Sequence, residues 1–286
     1  MEKRYALGLY EKAMPDFELS RKLATARDAG FDYMELSVDE TDKKLARLSL
    51  SREELARYRR AIANEEVPIR TMCLSGHRRY PFGSHDPAVR ARSLEIMKRA
   101  IDLSCEIGIR VIQLAGYDVY YEEGDSDTAR YFAANLAVAV ELAAASGVLL
   151  GFETMETPFL DTVEKGMRHV REINSPYLGM YPDIGNLKNA AVIYGTSVAD
   201  DLRLGRGHIF AAHLKETKPG IYRDMLFGQS DGHTEYESSL CELISQGVRT
   251  FTGEFWYHDG EDYQINIANA SRFLREKIEG AFGREE

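Results

Sequence analysis

The chain has 286 residues, enough to bury a large core in one α/β domain or to divide into two small ones. Its 46 acidic against 36 basic side chains leave a formal charge of −10, which argues against non-selective binding to a phosphate backbone and so against general nucleic-acid binding. Cys73, Cys105 and Cys241 are odd in number, far apart and form no C-x-x-C pair, so neither a disulfide framework nor a zinc–thiolate site is expected.

The first expected strand, near residues 5–10, runs into GLYEKAMPDFE, which lacks the glycine-rich turn of a dinucleotide-binding sheet. From there a phrase recurs: an amphipathic run, a glycine, then a β-rich apolar run. It reads DAGFDYMELS at the second strand (32–37), EIGIRVIQLAG at the fourth (109–115), ASGVLLGFE at the fifth (148–154), GRGHIFAAHLK at the seventh (208–214) and SQGVRTFTGEFW at the eighth (249–256). Gly30, Gly108, Gly147, Gly207 and Gly247 stand at the junctions, where a left-handed residue stops a helix before a strand begins. The third and sixth strands are placed near 69–75 and 177–183. Helical periodicity is clear over Pro87–Cys105, Thr128–Ala145 and Ile265–Ile278 and extends, less regularly, over Ala191–Leu204. The tail REKIEGAFGREE reads as the end of the last helix and frayed residues.

Strands alternating with helices imply right-handed crossovers and a parallel sheet, and eight such units in this length predict a (β/α)₈ TIM barrel, a single domain over residues 1–286. MEKRYALGLYEKAMP has no apolar core before a cleavage site and no run of about 18 apolar residues follows, so neither secretion nor membrane contact is expected. A reducing cytoplasm is the expected location.

In such a barrel the carboxyl ends of the strands build the active site. There stand Glu35 in YMELS, His77 after MCLSG, Gln113 in VIQLAG, Glu153 in LLGFE, Asp183 in MYPDIGN, His213 in FAAHLK and Glu254 in FTGEFW. Asp183 alone would read as a turn or cap. Glu153, His213 and Glu254 sit among apolar residues, where an unpaired charge costs several kcal/mol. One shared cation satisfies all four, and three carboxylates with one imidazole suit a single divalent ion: Mn²⁺, Mg²⁺, Co²⁺ or a catalytic Zn²⁺. Such an ion spreads the charge that develops when a carbon beside a carbonyl loses its proton. Glu153 and Glu254, on different sides of the axis, would face a substrate from opposite sides.

The segments GLYEKAMP, ELSVDETD, RTMCLSGHRRYPFGS, LEIMKRAI, IRVIQLAGYDVYY, YPDIGN and HLKETKPG closely resemble the L-ribulose-5-phosphate 3-epimerases of bacterial ascorbate and pentose catabolism, within the xylose-isomerase-like barrel superfamily. The resemblance implies a metal-dependent isomerase interconverting L-ribulose 5-phosphate and L-xylulose 5-phosphate. By it Glu153, Asp183, His213 and Glu254 are the metal ligands, with Glu153 and Glu254 also the acid/base pair at C3, working through a metal-stabilised enediolate. The sequence departs from the family after the seventh strand, where LFGQSDGHTEYES, Leu226–Ser238, replaces a Phe-Gly-x-Gly stretch and an Asp-Phe pair.

For the phosphate of a ketose-phosphate substrate the candidates are Lys12, Arg78, Arg79, Lys215 and Lys218, with Arg78 and Lys215 foremost. His77 is expected to hydrogen-bond a sugar oxygen, Asn186 to face the pocket, and Glu35 and Gln113 either to contact substrate or to orient His213. Tyr117, Tyr120, Tyr121, Trp256 and Tyr257 either wall the pocket or cover a contact between subunits of a homo-oligomer. A free-ketose 3-epimerase, a sugar isomerase, a dehydratase and a non-catalytic sugar sensor are the alternatives on the same barrel. A multi-metal nuclease is disfavoured by the single ligand histidine and the charge of −10.

Overall fold

A computed structural model describes residues 3–284. Its eight strands are β1 (Ala6–Tyr10), β2 (Tyr33–Ser37), β3 (Ile69–Leu74), β4 (Val111–Ala115), β5 (Leu149–Glu153), β6 (Leu178–Met180), β7 (Ala212–Leu214) and β8 (Thr250–Gly253). Between them run α1 (Leu19–Asp28), α2 (Asp42–Leu45), α3 (Arg52–Glu65), α4 (Pro87–Ile107), α5 (Ser126–Ser146), α6 (Val163–Ile173), α7 (Ile184–Tyr194), α8 (Val198–Arg203), α9 (Tyr236–Ser245) and, last, α10 (Tyr263–Phe282). All strand pairs are parallel, in the order β6-β5-β4-β3-β2-β1-β8-β7.

Closure comes between β6 and β7, where isolated parallel bridges join Met180 to Ile209 and Asp183 to His213. Backbone bonds from Met180 to His208 and from His213 to Pro182 complete the seam. The ladder is short here, and β6 and β7 hold three residues each instead of the longer runs expected from sequence. Pro182 has no N–H to give to a ladder, and Gly179 lies so close to the His208 carbonyl that a Cβ would sit 2.3 Å from it. The seam is thereby a close approach of two backbones more than a regular pairing.

The five junction glycines all have positive φ, from 68° at Gly147 to 87° at Gly247, as the recurring phrase predicts. The expected helix over Ala191–Leu204 is instead two. α7 ends before Gly195, at φ 65°, and α8 starts afresh with the Ser197 side chain accepting from the Asp200 N–H. Glu285 and Glu286, at the end of the charged tail, lie outside the described residues.

Alternation along each strand separates two interiors. Leu7, Leu9, Met34, Leu36, Met72, Leu74, Ile112, Leu114, Leu150 and Phe152 belong to the main apolar core, between strands and helices. The opposite set faces the barrel axis and is largely polar. Tyr33 fills the axis beside Gly8, where a Cβ would meet its ring at 2.3 Å. Its hydroxyl is 2.9 Å from the Phe251 carbonyl and 2.7 Å from Thr252 Oγ1. Thr252 Oγ1 is also 2.7 Å from the Tyr181 hydroxyl, which donates to Glu35 at 2.8 Å, and Thr71 donates to the same Glu35 oxygen at 2.7 Å. A column of satisfied polar groups thus rises along the axis to the strand ends, where it supports the site.

Candidate metal centre

Glu35, at the top of that column, accepts from His213 Nε2 at 2.6 Å. A nitrogen that donates there fixes the tautomer, so Nδ1 is the atom turned toward the other three residues. It lies 3.4 Å from Glu153 Oε1, 3.4 Å from Glu254 Oε2 and 3.9 Å from Asp183 Oδ2. One ligand atom from each of Glu153, Asp183, His213 and Glu254 lies within 4.8 Å of every other, and all four residues are buried. Asp183 serves two ends: Oδ1 caps α7 by accepting from the Asn186 N–H at 2.8 Å, and Oδ2 faces the cluster. The cap reading and the ligand reading of this aspartate are therefore compatible.

The charges in the cluster do not balance. Lys215 brings its ammonium to 2.9 Å from Asp183 Oδ2 and 3.2 Å from Glu254 Oε2. Neither oxygen receives a well-directed hydrogen bond, although each lies near that ammonium, and both are fully buried. Proximity alone does not satisfy such an acceptor, and one buried without a directed donor costs roughly 1–3 kcal/mol. Without a cation, burial and then repulsion from Glu254 push the Glu153 carboxyl above the usual range. Burial likewise raises Asp183. Glu254 is also penalised by burial, but Lys215 and His213 hold it well below the usual range. For His213, burial opposes protonation, yet Glu35 and Glu254 override it and raise the ring's pKa well above the ordinary imidazole value. Oxygen-rich donors, an imidazole with a fixed tautomer, and unsatisfied buried oxygens fit a divalent ion.

Glu153 and Glu254 of the cluster floor a cavity lined also by Tyr10, Cys73, Ser75, Asn186 and Trp256, and by the cations Lys12, Arg78, Lys215 and Arg223. Tyr10 and Trp256 meet edge to face at 6.0 Å. Asn186 is held by its Nδ2 on the Thr154 carbonyl, leaving Oδ1 buried and unpaired at the cavity. Glu35 orients the imidazole from the ring's far side, Gln113 Nε2 lies 3.1 Å from His213 Nδ1, and neither residue lines the cavity. Lys215, a foremost phosphate candidate from sequence, lies on the carboxylates instead. Cys73 is a buried thiol whose pKa burial raises above the range of a nucleophile, consistent with a small packing residue.

His77 is a correction. The 3₁₀ turn Ser75–Arg78 carries its ring inward, where Nε2 donates to the Ser93 carbonyl at 3.1 Å and the ring packs on Phe82 at 4.4 Å. It does not line the cavity. Arg79 pairs with Asp42 and Lys218 with Asp231, also away from the cavity. Arg223 was not anticipated, since it sits in an aperiodic stretch with no motif to flag it.

The model of the xylose isomerase-like TIM barrel family matches residues 23–277. The L-ribulose-5-phosphate 3-epimerase UlaE of Escherichia coli O139:H28 is 40% identical over 280 residues, 97% of this chain and 96% of the relative. The chain belongs to the L-ribulose-5-phosphate 3-epimerase family of xylose isomerase-like TIM barrels. The Shigella boydii serotype 18 enzyme of the same name matches to the same extent. Membership in this epimerase family makes the chain an isomerase of the sugar 3-epimerase type. Among solved structures an L-ribulose 3-epimerase superposes with a TM-score of 0.78 over 98% of this chain and 97% of that one, at 21% identity. A D-allulose 3-epimerase from Methylomonas sp. gives 0.77 over 96% and 98%, at 17% identity. At these identities they support the fold alone. No helix among the described residues is long and apolar enough to cross a membrane.

Proposed function

We propose that this chain interconverts L-ribulose 5-phosphate and L-xylulose 5-phosphate by moving a proton at C3. The observation that carries the reading is one cavity that holds both Glu153 and Glu254 at its floor and four cationic side chains on its lining. Glu153, Asp183, His213 through Nδ1, and Glu254 would hold a divalent ion, which supplies positive charge to stabilise negative charge developing on the substrate oxygens.

The chain's own residues then divide the work. β5 and β8 lie three strands apart around the closed barrel, so Glu153 and Glu254 approach the site from different walls. One carboxylate removes the C3 proton and the other delivers a proton to the opposite face, which inverts that centre and no other. Glu35 fixes the imidazole of His213 through Nε2, and Lys215 keeps the Asp183–Glu254 edge from repelling itself apart. Tyr10 and Trp256 cover the cavity wall and limit water around the exchanging proton. Arg78 and Arg223 on the lining match a phosphorylated ketose better than a free one.

The test is proton NMR in D₂O with Mg²⁺, supplying L-ribulose 5-phosphate and L-ribulose separately, backed by a product assay with Mn²⁺. Deuterium entering C3 as L-xylulose 5-phosphate appears supports the reading. Exchange confined to the free ketose would move the chain to unphosphorylated substrates. No exchange with either sugar and either metal would leave a dehydratase or a sensor.

A further inference from the structure

The four cations of the cavity are not equally available. Lys12 is committed to Asp39 at 2.6 Å and Lys215 to Asp183 and Glu254. Arg78 and Arg223 remain. Arg78 lies over the ring of Tyr120, its guanidinium carbon 4.7 Å from the centroid, and its Nε is buried without a hydrogen-bond partner. Arg223 lies in the long connection between β7 and α9. Its Nη2 donates to Glu156 Oε1 at 2.6 Å, and the Tyr120 hydroxyl donates to the same oxygen at 3.0 Å.

Three loops therefore converge on one carboxylate. Tyr120 follows β4, Glu156 follows β5 and Arg223 follows β7. The Arg223 side chain is 40% exposed against 19% for Glu156, so the arginine has open solvent to turn into if the carboxylate releases it. A guanidinium offers five donors and Glu156 takes one nitrogen, which leaves the fork free for a second anion. Two arginines and one carboxylate on a single wall leave one net positive charge, which an anionic ligand group would neutralise.

We propose that Glu156 is a positioning residue for substrate binding, holding Arg223 in the cavity wall so that Arg78 and Arg223 together receive the anionic end of the substrate. The inference rests on the reading of the substrate as a phosphorylated ketose. Burial would raise the Glu156 carboxyl, but its own backbone N–H, Arg223 and Tyr120 bring it below the usual range, so it stands as an anion where Arg223 needs one. Tyr120 restrains both partners, as the floor under Arg78 and the second donor to Glu156.

The experiment is a double-mutant cycle on the metal-loaded protein with Glu156→Gln, Arg223→Met and the pair. For each we would measure kcat and KM for L-ribulose 5-phosphate, kcat/KM for L-ribulose and the inhibition constant of inorganic phosphate. Each single variant should raise KM for the phosphorylated ketose and the phosphate inhibition constant by about 10-fold, the scale of one charge-assisted hydrogen bond. We expect KM to change more than kcat, and kcat/KM for L-ribulose to fall far less than kcat/KM for L-ribulose 5-phosphate, because the reacting carboxylates are untouched and the free ketose has no anionic end. The double variant should be no worse than Arg223→Met alone, since Glu156 acts through that arginine. Glu156→Asp, which keeps the charge, should recover part of the loss. Additive losses in the double variant, or a wild-type Glu156→Gln beside an impaired Arg223→Met, overturn the positioning role and leave the phosphate reading standing. If Arg223→Met binds phosphate and L-ribulose 5-phosphate as the wild type does, and the wild type turns over L-ribulose equally well, the phosphate reading itself fails.

Discussion

Two buried ionic clusters lie at the same end of the barrel, and their charges are unbalanced in opposite senses. After β1, the fully buried Glu11 accepts from Lys22 at 2.6 Å, from Lys44 at 3.0 Å, from Arg47 through two nitrogens at 2.6 and 2.7 Å, and from the Ser37 N–H at 2.9 Å. Burial would raise its pKa, but Arg47, Lys44 and Lys22 hold it well below the usual carboxylate range. Across the barrel end, Glu153, Asp183 and Glu254 share one ammonium and one imidazole, and two of their oxygens lack directed donors. A closed cluster, in which every lone pair has a donor, ties loops together. An open one, with acceptors left over, is built to take a cation from outside.

The widest separation between the two clusters should be in turnover. Glu153→Gln and Glu254→Gln should each lower kcat by about 10³- to 10⁴-fold with circular dichroism unchanged, because each removes one of the two proton-transfer groups. Near-normal activity in either folded variant would sink the two-carboxylate mechanism. Glu11→Ala should reverse the pattern. Leaving three cations around an empty place should cost about 3–5 kcal/mol in urea unfolding, while the number of Mn²⁺ bound per folded chain stays the same. A loss under about 1 kcal/mol would mean that water replaces the carboxylate and that the cluster is not closed.

A smaller effect separates the clusters by ligand. Mn²⁺ at about 100 times its dissociation constant should stabilise the wild type and Glu11→Gln by about 2.7 kcal/mol, read as a rise in unfolding temperature, and should not stabilise Asp183→Asn. The smallest effect concerns a group in neither cluster. Burial lowers the His77 pKa to about 4 from an ordinary 6.5. Between those values the unfolded chain binds the proton and the folded chain does not, so stability is full above the unfolded pKa and falls as pH falls. The loss should reach about 2 kcal/mol by pH 5, and His77→Gln should remove that share of the slope. An unchanged slope would mean that the ring is not held neutral.

What the sequence made legible was local. Each junction glycine marks a helix end from the residues beside it, and Glu153, Asp183, His213 and Glu254 were recognisable because each follows its own apolar strand. What it hid depends on distant partners. The cations around Glu11 stand at positions 22, 44 and 47, so nothing in EKAMP distinguishes a buried hub from a loop. His77 turns away from the site because a 3₁₀ turn, invisible as a pattern, reverses the chain after β3. Arg223 is placed by a carboxylate 67 residues earlier. Lys215, expected to meet the phosphate, is drawn to the carboxylates because three of them lack enough positive charge.

An open cluster of the four strand-end residues should take one divalent ion. Calorimetric titration of Mn²⁺ into metal-free wild type, Asp183→Asn and Glu11→Gln tests it most directly. We expect one equivalent for the wild type and for Glu11→Gln, and binding weakened by at least about 100-fold in Asp183→Asn. Asp183→Asn binding as tightly as the wild type, or no binding to the wild type at all, would contradict it.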